Sequence, residues 1–250
     1  VYYGFFNTIA ENISDVRVRT ALIKAIDQEK LLKDCFYGRG AVNQSCIPTG
    51  SFFNDIVITP DTTYKYDVDA ANALLDEAGY PKNASGSRNL TIRCYCQSTS
   101  KNTLVTECVK SFWSKVGVDM EVNMVDNATW YKYVYQDFDF DFTLIDAGVA
   151  SDFSLSANRF TKSNIGKVNG NAWGITNDRV DEIFATAASQ PKDEQKKLYA
   201  ELQEIIADYA LGIFIQNWAP YCVSNKFGGF PGYPDMQMST WDFVYYKGGS

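Results

Sequence analysis

Apolar positions set the elements of this chain before any chemistry is considered. Val18, Ala21, Leu22, Ala25 and Ile26 recur with a helical period and share one helix face. Ser14 is the predicted cap of that helix. Asp27 is read as a second cap, opening a helix that carries Leu31, Leu32, Cys35 and Phe36 and stops at Gly38 and Gly40. Ala70, Ala71, Leu74, Leu75 and Ala78 predict a further helix between Asp67 and the stop formed by Gly79 and Pro81. Leu90, Ile92, Cys94 and Cys96 alternate with Thr91, Arg93 and Tyr95, as in a half-buried strand. A helix bearing Leu104, Val105, Cys108, Val109, Phe112, Trp113 and Val116 follows, placed from Asn102. Val118, Met120, Val122 and Met124 then alternate again. Strand, helix and strand with short connections predict parallel strands joined by a right-handed crossover.

The pattern continues with a helix over 128–136, capped by Asn127, and a strand over 138–145. Two helices follow, carrying Val180, Ile183, Phe184 and Ala187, and then Leu198, Leu202, Ile205, Ile206 and Tyr209. A last strand spans 211–218. Residues 1–7 read as a strand. Residues 38–61 are rich in Gly, Pro and Asn and read as a structured surface loop; residues 146–173 are irregular. Alternation of strands and helices predicts an α/β fold with an open, mixed and largely parallel sheet flanked by helices.

Composition narrows the function classes. The chain has 250 residues, 46% hydrophobic and 21% charged, with net charge −7. Acidity argues against a nucleic-acid partner, which calls for a basic surface. No apolar run approaches membrane-spanning length. The absence of His excludes Ser-His-Asp and Cys-His catalysis and His-based metal sites within this chain. Neither a cofactor nor a metal is expected.

Six cysteines suggest an oxidising compartment. Cys35 and Cys46 bracket a short Gly/Asn loop and form the favoured pair, whose closure contributes roughly 3 kcal/mol. Cys94 and Cys96 share a strand face; one is expected to meet Cys108 and the other Cys222. A thiolate metal site and free buried thiols are the alternatives, and Cys-x-Cys is not a usual zinc spacing.

Five segments, in order, resemble the family 5 extracellular solute-binding proteins, the oligopeptide- and dipeptide-binding receptors of ABC importers. They are the pattern around Asn7, DVRVRTALIKAID from Asp15, YDVDAANALLDEAGYP from Tyr66, Asn177-Asp178-Arg179-Val180-Asp181, and Leu198-Tyr199 with Leu202-Gln203. The resemblance implies a two-lobed receptor about twice this length. Residues 1–224 would form its C-terminal lobe, and residues 225–250 a return segment towards a first lobe absent from this chain. It further implies a non-enzymatic protein outside the cytoplasm, with a lipid anchor beyond this sequence as its membrane attachment. Peptide ligands and permease subunits would be its partners.

The resemblance also supplies site residues. Asp152-Phe153 through Phe160 matches the family motif in which an aspartate pairs with the peptide's ammonium group, although Ser156 stands where that motif has proline. Asp152 is therefore the candidate anchor and Asp146 a weaker one. Independently of family, ligands of open α/β sheets bind beyond the carboxyl ends of the strands, which singles out residues 146–160. Backbone at Gly148 and Ala150 is a candidate for pairing with an extended peptide. Trp130 and Trp218 match pocket-lining aromatics, with core packing as the competing reading for each; Trp173 reads as a loop stabiliser. Oligosaccharides or nickel chelates are the alternative ligands. A glycoside hydrolase using Asp139, Asp141 and Asp146 is the alternative from another class.

Overall fold

The computed structural model describes residues 1–43, 45–48, 51–54, 65–148, 153–217, 227–228 and 245–247. Its centre is a six-stranded sheet in the order β2-β6-β1-β5-β3-β4. The strands are β1 (Tyr2–Phe6), β2 (Gly40–Asn43), β3 (Thr91–Gln97), β4 (Asp119–Val125), β5 (Phe142–Asp146) and β6 (Gly212–Asn217). As the strand–helix–strand pattern predicts, β3 pairs in parallel with β4, and β3 also pairs in parallel with β5. The sheet is mixed, but parallel pairing is confined to that half. β1 inserts between β5 and β6 and runs antiparallel to both, and β2 is antiparallel to β6. The expectation of a largely parallel sheet therefore holds for strand direction in β3, β4, β5 and β6, and not for the count of pairings. The sequence does not predict β2, because the Gly/Asn-rich stretch that contains it shows no alternation.

Every residue of β1 is buried. A strand covered on both faces needs apolar side chains at consecutive positions rather than alternating ones, and Tyr-Tyr-Gly-Phe-Phe supplies them. Tyr2 and Phe6 point to one face. There Tyr2 packs against Phe36 at 5.2 Å, and Phe6 packs against Phe142 at 5.2 Å and Trp113 at 6.2 Å. This layer is built from α1 (Val16–Lys24), α2 (Gln28–Phe36), α3 (Val68–Glu77) and α4 (Ser100–Lys115). Trp113 fastens α4 to α1 by donating its indole N–H to the Leu22 carbonyl at 2.9 Å. Tyr3 and Phe5 point to the other face and meet Trp173 at 5.7 and 4.3 Å.

Helix starts follow local capping chemistry, shifted slightly from the sequence reading. Asp15, not Ser14, caps α1 by accepting from Arg17 N; Thr99, not Asn102, caps α4; Asp126, not Asn127, caps α5 (Asn127–Tyr131). In each case the cap falls on the residue whose own backbone is extended; Ser14, by contrast, has helical backbone at the end of a short turn over Glu11–Ile13, so the cap of α1 passes to Asp15. Asp27 and Asp67 cap α2 and α3 as expected. The short α6 (Ala157–Phe160) follows β5. Asn177 caps α7 (Asp178–Ala187), and α8 (Lys192–Asp208) begins after Pro191.

Alternation predicts that residues 138–141 extend β5. Instead Phe138 has φ +53°, and buried Asn7 donates to the carbonyls of Phe138 at 2.9 Å and Phe140 at 3.1 Å. Asp141, also buried, accepts from Arg93 N at 2.8 Å and from the Arg93 guanidinium at 3.0 Å. Asp139 pairs with the same guanidinium. The two carboxylates thus anchor a turn to β3. We expect Asp141→Asn to lower stability by about 2 kcal/mol, since a buried charge-assisted pair loses its charge while its geometry stays. The midpoint of a urea titration measures this.

Among the described residues no helix is long and apolar enough to cross a membrane. By contacts the chain divides into Val1–Asn217 and Trp218–Ser250. In the second unit Phe227–Gly228 pairs antiparallel with Tyr245–Tyr246.

Candidate ligand-binding site

The register brings six strand ends to one edge of the sheet. Tyr2 stands opposite Asp146 and Ile215, and Gly40 opposite Asn217, while β3 and β4 end together at Gln97 and Val125. The carboxyl ends of β3, β4, β5 and β6 therefore share this edge with the starts of β1 and β2. Beside it, on the face of Tyr3 and Phe5, lies a small crevice that is partly open to solvent. Tyr3, Phe5, Ile145 and Ala147 line it from the sheet; Tyr135, Arg159, Gly170, Ala172 and Trp173 close the far side.

The far wall is held by aromatic plugs and by asparagine side chains that hydrogen-bond backbone. Phe153 and Phe160 are both buried. Phe153 packs against Tyr199 at 5.5 Å, and Phe160 stacks between Trp173 at 5.9 Å and Phe184 at 5.8 Å. The two aromatics of the Asp-Phe…Phe motif thus pin the loop after β5 onto α7 and α8. Asn171, fully buried, donates to the carbonyls of Phe160, Thr161 and Ile175 and accepts from Gly174 N at 3.1 Å. That network seats Trp173, so the loop-stabiliser reading of Trp173 describes its packing. Its ring also forms the apolar wall of the crevice. Tyr131 donates to Asn169 Oδ1 at 3.0 Å, and Asn158 donates to the Asn169 carbonyl at 2.7 Å. These bonds fasten α5 and α6 to the turn that carries Asn169.

One charge faces this apolar space. Arg159 is half-buried and donates to the Gly148 carbonyl at 3.2 Å. Among the described residues no carboxylate pairs with it. Burial pushes the Tyr3 phenol well above its ordinary range, and Arg159 beside it works in the opposite sense; Tyr3 is neutral at physiological pH. Tyr135 is pushed up to about 12 by burial. The crevice is therefore an aromatic recess with a guanidinium at its rim, suited to a ligand that carries both apolar surface and negative charge.

The expected site residues separate into three groups. Asp146 and Gly148 are exposed at the sheet edge; Asp146 pairs with Lys101 at 2.8 Å, and Gly148 holds Arg159 through its carbonyl. Trp130 is fully buried, donates its N–H to Thr143 Oγ1 at 2.8 Å and packs against Tyr135 at 5.6 Å, so in this structure it is a core residue behind the crevice. Asp152, Ala150 and Trp218 lie outside the described residues, as does Cys222. Sequence reasoning misses Arg159, although it is the one basic residue between Asp146 and Phe160. That solitary cation in an otherwise acidic and apolar loop is the available signal.

The cysteine expectations change. Cys35 Sγ lies 3.1 Å from Cys108 Sγ rather than beside Cys46, and Cys94 Sγ lies 3.2 Å from Cys96 Sγ rather than beside Cys108. Sequence proximity favours the Cys35–Cys46 loop, but the packing of α2 on α4 brings residues distant in sequence together.

A mixed sheet flanked by helices, with a recess beside its carboxyl edge, is the arrangement of open α/β folds, whose ligands bind at that edge. The chain belongs to the bacterial extracellular solute-binding proteins, family 5, whose middle-region model matches residues 1–167. It is 28% identical over 217 residues to heme-binding protein A of Haemophilus influenzae, covering 84% of this chain and 38% of that protein. It is 26% identical over 223 residues to the dipeptide-binding protein of Escherichia coli, covering 86% and 40%. The fold matches the oligopeptide-binding protein AppA from Bacillus subtilis, solved in complex with a nonapeptide, with a TM-score of 0.79 at 18% identity. That match covers 98% of this chain and 50% of the other. The chain thus spans well under two thirds of the length of these relatives.

Proposed function

We propose that this chain is the C-terminal lobe of the substrate-binding receptor of an ABC importer, working outside the cytoplasm and taking short peptides into a cleft between two lobes. The reading rests on a single observation. An aromatic recess lies at the carboxyl edge of the sheet, with a guanidinium that no described carboxylate neutralises, in a chain of the solute-binding family. Hinge closure of a first lobe over that edge would bury the ligand, and residues 225–250 would return towards that lobe. Permease subunits would receive the closed receptor, and a lipid anchor outside this sequence would hold it at the membrane. Binding and release require no covalent chemistry.

In this reading Arg159 meets a carboxylate of the ligand, Trp173 and Tyr3 pack against an apolar side chain, and Asp152 anchors the ammonium end. Asp146, with Gly148 and Ala150, would border the peptide backbone; Trp130 would support the recess from behind and Trp218 would line it. Calorimetry on the full-length receptor with short peptides bearing free or amidated C-termini tests this. Heat with free peptides is expected. Arg159→Ala should weaken free-carboxylate peptides about 10- to 100-fold, the worth of a charge-assisted hydrogen bond, and amidated ones far less. No heat with any peptide, together with heat from sugars or metal chelates, would assign another ligand class. Heme forms a separate arm because one relative carries that name, but this lobe has no His to ligate its iron.

A further inference from the structure

Five of the six cysteines are described, and four of them form two thiol pairs on the same face of the sheet. Cys35 on α2 and Cys108 on α4 have Sγ atoms 3.1 Å apart, although 73 positions separate them in sequence. Cys94 and Cys96, two positions apart on β3, have Sγ atoms 3.2 Å apart. Among the described residues no cluster of three or more ligating side chains is placed to hold a metal ion. The pairs are therefore two dithiols and not one four-thiolate site.

We infer that Cys35 and Cys108 form a disulfide that staples α2 to α4, and that Cys94 and Cys96 stay reduced. The rationale rests in part on the extracytoplasmic location proposed above, where disulfides persist. The two pairs differ in what the backbone allows. Residues two apart on one strand have Cα atoms about 6.6 Å apart, at the far limit of disulfide geometry, and a pleated strand inside a sheet cannot close that distance. Cys35 and Cys108 sit on separate helices, which can adjust by fractions of an ångström. The pairs differ in access as well. Cys94 and Cys96 are fully buried, whereas Cys108 is partly exposed. Burial pushes the Cys35 thiol up, and Cys108 is the more exposed sulfur of the pair, so an external disulfide meets Cys108 first.

The oxidation balances as thiol–disulfide exchange with an external disulfide, either a small molecule or an oxidoreductase. The Cys108 thiolate attacks one sulfur of the donor, forming a mixed disulfide and releasing the donor's other sulfur as a thiolate. Cys35, after losing its proton, attacks the Cys108 sulfur, closing the bridge and releasing the second donor thiol. Two electrons pass to the donor, and the two protons end on its thiols. The closed loop is long, and cross-links of long loops stabilise by restricting the unfolded chain.

The test uses the full-length protein, exported by its host and blocked with N-ethylmaleimide under denaturing, non-reducing conditions before digestion. A cross-linked peptide joining Cys35 to Cys108 is expected, with Cys94 and Cys96 recovered as blocked thiols. Adding a reductant should lower the midpoint of thermal unfolding by about 5–10 °C. Cys108→Ser should remove that response to reductant, whatever its own stability, and Cys94→Ser should retain it. Recovery of both Cys35 and Cys108 as blocked thiols would overturn the inference, as would a bridge from Cys35 to Cys46. If the receptor failed to bind peptides but the bridge were found, only the ligand assignment would fall.

Discussion

Gly212→Ala is expected to destabilise the fold by at least about 3 kcal/mol, because strain and a backbone clash act together. Gly212 opens β6 with φ +152°, and a Cβ there would lie 2.0 Å from the Gly4 carbonyl oxygen and 2.7 Å from Phe5 Cα. Both obstacles are backbone atoms of the central strand. Neither can yield without opening the pairing of Phe5 with Gly212 and the Phe6 N–H bond to the Leu211 carbonyl at 2.8 Å. Gly86 provides the control. It has φ +83°, and an added methyl group would meet nothing within 4 Å, so Gly86→Ala should cost only about 1 kcal/mol of backbone strain. Denaturant unfolding of the two variants separates clash from strain; equal losses would show that the close approach of β6 to β1 is not what requires glycine.

The second large effect falls on Trp173. Its ring is buried among Tyr3, Phe5, Phe160 and Phe214, so Trp173→Ala removes the common contact of the sheet face and the loop after β5. Truncating a buried tryptophan costs about 3–5 kcal/mol. The loss also opens the crevice, so ligand affinity should fall along with stability. Trp173→Phe keeps a ring in place and should recover most of the stability. Near-ultraviolet circular dichroism and the urea midpoint read the two effects, and an alanine variant within about 1 kcal/mol of the parent would mean that the loop is held by other contacts.

Legibility from sequence followed the reach of the forces involved. The faces of α1, α3 and α4 and the alternation of β3 are local patterns, and they appear in the structure at nearly the expected positions, except that Leu104 of α4 is exposed; β4 alternates only at its start, with Val122 to Val125 all half-buried. The parallel pairing of β3 with β4 follows from the short connections around α4. What sequence reasoning misses depends on distant partners. Phe138 and Phe140 alternate like strand residues, yet Asn7, remote in sequence, holds that stretch in a turn. The glycine-rich segment containing β2 carries no period of its own and is a strand because β6 offers an edge. Cys35 meets Cys108 only because α2 packs on α4. In the crevice, strand topology alone points to the loop after β5. Arg159 within that loop gains meaning only from Gly148, Tyr3 and Trp173 around it.

Ligand engagement at the carboxyl edge of the sheet is the centre of this account, and hydrogen exchange on the full-length receptor with and without bound ligand tests it most directly. Protection is predicted at residues 1–4, 145–160 and 169–174. The opposite edge, where Arg88 N bonds to the Gly117 carbonyl at 2.8 Å, should exchange unchanged. Protection confined to that opposite edge, with none in the loop carrying Arg159, would contradict the account.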